Sequence, residues 1–214
     1  MELLSEDEQW DALKRWVKVN GPSILIMVAV ALLAYFGWQW WQERQDRLAR
    51  AAGAVYTEVL ADFDAEKTDE ALAGIEKLHK EYPRSAYVSP ADLAAANVYV
   101  NTDQLDKAVP FLERVSTGAA DKSLRTIAKL RLARVQSAQG QHDKALATLG
   151  TGDMGAFQSA YLETRGDVLY AKGDRAGALK DYEAARALLT PEAAGQEGVG
   201  PLLDLKISDL KAST

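Results

Sequence analysis

The chain has 214 residues, of which 31 are acidic and 25 basic, a net charge of −6 and no cysteine. A disulfide framework and a thiolate metal site are therefore excluded, and with no basic face to offer a phosphate backbone, nucleic acid is not an expected partner. The length allows a membrane segment followed by one soluble domain large enough to bury a core.

Residues 1–23 form a tail with five acids and three bases, which leaves −4 for the part from Glu43 onward. From Val19 to Gln42 there is no charged residue, and Ile24 to Phe36 reads ILIMVAVALLAYF. As a helix at about 1.5 Å per residue such a stretch reaches roughly 36 Å, enough to cross a hydrocarbon layer of about 30 Å. Trp16 precedes the run and Trp38, Trp40 and Trp41 close it, where indole rings favour the bilayer interface. A core helix of a soluble protein would carry a polar stripe, and none interrupts Ile24–Phe36. A cleavable signal would need a small-x-small site, which GWQWWQER lacks. A retained transmembrane helix over 24–42 is expected, with the lipid bilayer as its surroundings. Because the segment holds no ionisable residue, it is an anchor and not an ion path. Lys14, Arg15 and Lys18 on one side balance Arg44, Arg47 and Arg50 on the other, so charge does not set the orientation. A short tail before an uncleaved anchor favours a cytoplasmic N-terminus and a translocated C-terminal part.

Beyond the anchor, Ala, Leu, Lys, Glu and Arg dominate, with apolar residues at three- and four-residue spacing, so the expected fold class is all-α. A connecting helix is expected over 43–63. Over 64–190 a spacing recurs. Gly166 is followed by Gly173, Ala178, Tyr182 and Ala185; the same offsets give Ala133, Gly140, Ala145, Leu149 and Gly152; then Ala96, Asp103, Ala108, Leu112 and Val115; and finally Ala71, Ile75 and Leu78. Small residues such as Gly166 and Ala178 let two helices of a hairpin approach closely, Gly140 and Gly173 suit a tight turn, and Leu149 or Tyr182 fills the space between hairpins. The pattern resembles the tetratricopeptide repeat, a helix–turn–helix unit. Pro110 departs from it and should kink or delay its helix, and Asp103 stands where a turn glycine is expected. Residues 191–214 should provide a loop, 192–200, and a capping helix opened by Pro201.

Two motifs have a plainer explanation than their names. Gly150–Gly155, GTGDMG, fits the dinucleotide fingerprint but follows no strand, and Arg165-Gly166-Asp167 places its glycine at the packing position of a repeat. The two histidines, His79 and His142, stand on separate repeats and are expected on the surface. With no paired histidine, cysteine or acid cluster at ligand spacing, no metal, cofactor, small-molecule substrate or catalytic residue is expected. What remains is a binding surface along the first helices of the repeats, a shape suited to an extended peptide or partner helix. By offset from the small residues, Leu93, Asn97, Leu130, Arg134, Asp167 and Tyr170 should face it.

Taken together, DALKRWVKVNG, an anchor ending FGWQWW, LRLARVQSAQGQHDKALATL, RGDVLYAKGDRAGALKDYEAA and LLDLKISDL make the chain resemble the YfgM-type ancillary subunits of the bacterial SecYEG translocon. The resemblance implies a single-pass inner-membrane protein with a cytoplasmic N-terminus and a periplasmic repeat domain. It implies association with SecYEG and with a membrane-anchored periplasmic chaperone of prolyl-isomerase type (PpiD-like), helping emerging chains pass to periplasmic chaperones, and it carries over no catalytic residue. The same parts would serve a structural scaffold for another envelope complex, in cell division or cell-wall assembly, since a repeat array specifies a shape and not a ligand.

Overall fold

The computed structural model describes residues 6–152, 154–190 and 199–212, and among them every regular element is a helix. The chain divides into two compact units, Met1–Ala51 and Ala52–Thr214.

The first helix, α1 (Glu6–Asp64), starts within the expected tail. Inside the first unit it carries the apolar run: an 18-residue window has mean hydropathy 2.0, and none of it is buried. Leu25 and Leu33 are 71% and 75% exposed, which no core helix would tolerate. Among the described residues this is the one helix long and apolar enough to cross a membrane. Trp38 and Trp41 lie against each other at its end, ring centroids 5.5 Å apart.

The second unit is a series of helical hairpins. Residues 52–64 of α1 pair with α2 (Thr68–Glu81), α3 (Val88–Asn101) with α4 (Leu105–Gly118), α5 (Lys122–Ala138) with α6 (His142–Leu149), and α7 (Gln158–Lys172) with α8 (Arg175–Ala187). A single 3-10 turn, Gly155–Phe157, leads into α7, and α9 (Val199–Ala212) follows the last hairpin.

One turn is built four times. Ala71, Ala108, Ala145 and Ala178 are fully buried near the start of each second helix. Five residues before each stands a residue in the left-handed region: Glu66 (φ 60°), Asp103 (φ 57°), Gly140 (φ 77°) and Gly173 (φ 96°). The following amide donates back five residues in every copy, Lys67 to Asp62, Gln104 to Tyr99, Gln141 to Gln136 and Asp174 to Leu169, at 2.8–2.9 Å. This is the Schellman arrangement, which satisfies carbonyls left free at the end of the first helix. Asp103 fulfils the role expected of glycine because a short polar side chain tolerates the left-handed conformation. Glu66 does so with a longer one.

Twelve residues before each alanine lies its partner in the close helix crossing, Val59, Ala96, Ala133 or Gly166, all buried. Four residues after it, Ile75, Leu112, Leu149 and Tyr182 fill the interior. The core is correspondingly segmented into three clusters along the array, with Leu72 and Phe111 packed against both the first and the second. At the C-terminal end α9 buries Leu203 and Leu210 in the third cluster, covering the face that the last hairpin would otherwise expose.

Gly152, at the offset that Ala185 holds in the last copy, lies past the end of α6 at Leu149, and Gly150 and Gly152 adopt positive φ. Two expectations need correcting. Pro110 does not delay α4, which begins at Leu105 and runs through it, without the amide that would have met the Asp106 carbonyl. The expected loop 192–200 lies outside the described residues except for Val199 and Gly200, which are already helical.

Candidate functional site

Between α3 and α5, first helices of adjacent hairpins, lies a cavity of about 240 Å³. Ala96, Val100, Leu112 and Val135 form its apolar base, and Asn97, Arg131 and Arg134 its polar rim. Asn97 and Arg134 are two of the six positions that sequence spacing placed on this face. They project here because each follows by one residue the small residue of the close crossing, Ala96 or Ala133, whose own side chain points into the hairpin. Arg134 Nη2 donates to the hydroxyl of Thr164 on α7 at 2.9 Å, which fixes one edge of its guanidinium. Arg131 was not singled out by the spacing, yet it sits one turn before Arg134 on the same rim.

The other four positions are placed differently. Leu93 and Leu130 are 9% and 6% exposed and belong to the core clusters, so they offer no surface to a partner. Three residues before the small position the side chain is taken into the core of the array and not onto its surface. Asp167 is occupied internally: its carboxylate accepts from the Tyr182 hydroxyl at 2.8 Å and from Lys206 of α9 at 2.7 Å. Tyr170 is 43% exposed, with the Arg175 guanidinium 5.6 Å from its ring centre.

A second polar cluster was not legible from the sequence. Asp92 of α3 is only 1% exposed, His79 of α2 brings Nε2 to 3.0 and 3.1 Å of its two oxygens, and Arg114 of α4 donates to it at 2.9 Å. His79 is therefore not the solvated surface residue that was expected. Burial pushes the Asp92 carboxyl above its ordinary range, against the opposing pull of the His79 hydrogen bond and the Arg114 charge. The cluster ties three helices of two hairpins through one buried carboxylate.

The last hairpin carries its own ionic lattice. Arg165 forms a two-pronged pair with Asp181, both contacts at 2.6 Å, and Lys206 bridges Glu163 and Asp167. Burial alone would lower the Lys206 ammonium, but the hydrogen bonds it donates to Asp167 and Glu163 outweigh that and hold the pKa above its usual value. The Arg-Gly-Asp tripeptide is thus spent on internal contacts. Among the described residues no group of three or more histidines and acids could hold a metal ion.

The family model of the tetratricopeptide repeat-like domain matches residues 14–212. A protein of Escherichia coli strain K12 named ancillary SecYEG translocon subunit is 30% identical over 207 residues, covering 96% of this chain and 97% of that protein. A protein of the same name from Neisseria gonorrhoeae is 29% identical, covering 97% of this chain and 98% of its own. The one from Haemophilus influenzae is 29% identical across 86% of this chain and 89% of its own. The chain belongs to the tetratricopeptide repeat-like domain family and, within it, to the family of the ancillary SecYEG translocon subunits.

Proposed function

We propose that this protein is a non-catalytic, single-pass inner-membrane subunit that associates with the SecYEG translocon and helps pass secreted chains to periplasmic chaperones. Its N-terminus lies in the cytoplasm and its repeat unit in the periplasm, where a membrane-anchored chaperone of the PpiD-like kind is a partner. The observation that carries this reading is similarity over nearly the whole chain to proteins named as translocon subunits. Two structural features support it. The exposed apolar helix of the first unit supplies the anchor and a surface for contact inside the bilayer. The first helices of the hairpins, α3, α5 and α7, are the face we assign to docking, and Asn97, Arg134 and Tyr170 are its exposed members among the expected set.

Photo-crosslinking in cells tests it. A crosslinker at Leu33, in the span, should capture a SecYEG subunit, and one at Asn97 should capture the chaperone or a chain in transit. If Leu33 yields no SecYEG adduct, and the protein separates from SecYEG during purification in mild detergent, the reading fails.

A further inference from the structure

The cavity between α3 and α5 has a chemistry that narrows what it can hold. Its volume of about 240 Å³ falls below the roughly 300–1,000 Å³ usual for cofactor and small-molecule sites, so it has room for side chains of a peptide and not for a whole ligand. Its base is aliphatic. Its rim carries two guanidinium groups, Arg131 and Arg134, and among the described residues neither has a carboxylate partner. Three other arginines of the same unit are matched internally, Arg114 to Asp92, Arg165 to Asp181 and Arg186 to Asp204. Two unmatched guanidiniums beside one groove, in an acidic protein, therefore leave a local excess of positive charge that a carboxylate complements in the two-pronged geometry typical of arginine. The hydrogen bond to Thr164 holds Arg134 in place, which reduces the entropy lost when it engages a ligand. The Asn97 side chain, without a hydrogen-bond partner among the described residues, offers both a donor and an acceptor, the complement of a passing peptide group.

We infer that the α3–α5 groove binds an internal, extended polypeptide segment of the pattern aliphatic-x-acidic, with the aliphatic side chain on the Ala96–Val100–Val135 base and the Asp or Glu carboxylate between Arg131 and Arg134. In an extended strand residues two apart point to the same side, so both side chains enter together while the residue between them faces solvent. Asn97 pairs with the backbone amide as it passes. This assignment rests on the proposed docking role and specifies which segments that face selects.

The test uses the full-length protein in nanodiscs and fluorescent peptides blocked at both ends, differing only in Leu-x-Glu against Leu-x-Lys. The Glu peptide should bind at least tenfold more tightly, and the preference should weaken as salt rises. Arg131→Gln and Arg134→Gln, both at exposed positions, should each weaken it severalfold without moving the helical melt. The double variant Arg131→Glu with Arg134→Glu should reverse the preference toward the Lys peptide, a result that misfolding would not produce. Equal affinity for the two blocked peptides, or binding of the Glu peptide only when its C-terminus is freed, overturns the inference, the second result pointing to capture of chain ends. Co-purification with SecYEG is measured in parallel. Loss of the peptide preference with SecYEG retained removes only this inference, whereas loss of SecYEG association with the preference retained removes the proposed function instead.

Discussion

A methyl group placed on Gly166 would lie 2.6 Å from Cε1 of Tyr182 and 3.3 Å from the carbonyl of Ala178. The Tyr182 ring is not free to swing away, because its hydroxyl is held by Asp167. Gly166→Leu should therefore overpack the last hairpin at a cost of about 1–3 kcal/mol, offset by less than ~1 kcal/mol of improved helix propensity. The expected result is a drop of several degrees in the melt followed by circular dichroism; an unchanged melt would mean that the ring has an alternative seat. The four turn residues allow a paired experiment. Glu66 carries a side chain in the left-handed region, where non-glycine residues are disfavoured by about 1–2 kcal/mol, so Glu66→Gly should stabilise the protein, by less than about 1 kcal/mol after the added flexibility of glycine is counted. Gly140→Ala, at the equivalent turn, should destabilise it by about 1 kcal/mol. Opposite signs at the two sites are the measurement that matters.

At the scale of elements, the hairpins could be read from the sequence because a close helix crossing and a left-handed turn each admit few residue types, and their fixed separation repeats. Ala71 to Ala178 thus marked every second helix correctly. Contacts between elements left no such trace. His79, Asp92 and Arg114 come from three helices, and only the folded array brings an acid that looks like any surface residue under complete burial. The same gap explains Leu93 and Leu130, which only the assembled array takes into its core clusters. The buried Asp92 has a measurable consequence. Its folded pKa is raised above an ordinary value near 3.8, so between those two values the folded state holds the proton more firmly than the unfolded chain. The stabilisation that the neutral carboxyl contributes is complete below 3.8 and is lost as pH rises through the folded pKa. Asp92→Asn cannot titrate. Denaturant unfolding at pH 7 and pH 4 should therefore show the wild type gaining relative to this variant at the lower pH; a constant difference would mean that burial does not dominate. The capping helix makes a separate prediction: Leu203 is fully buried, and Leu203→Ala should cost about 2–5 kcal/mol and expose the end of the array.

For the whole molecule, the division at Ala51 and Ala52 matters more than the length of α1. Among the described residues every member of the three core clusters lies at or beyond Ala52. A fragment comprising 52–214 should consequently be soluble, helical and cooperative in unfolding without lipid or detergent, since stacked repeats bury one another and α9 closes one end. Cutting further in should not be tolerated. A fragment starting at Thr68 loses Ala52, Val55 and Val59, leaving Ala71, Ile75 and Leu78 without the α1 side of their cluster. The pair of fragments distinguishes a repeat array that begins at Ala52 from one that begins at α2. If 68–214 melts at the same temperature as 52–214, the end of α1 contributes nothing to the array, and the first hairpin is not a structural unit. The first unit is tested on its own terms by topology: a reporter active only in the periplasm, fused after Thr214, should give signal, and a fusion active only in the cytoplasm at that same position would reverse the proposed orientation and move the groove to the other side of the membrane.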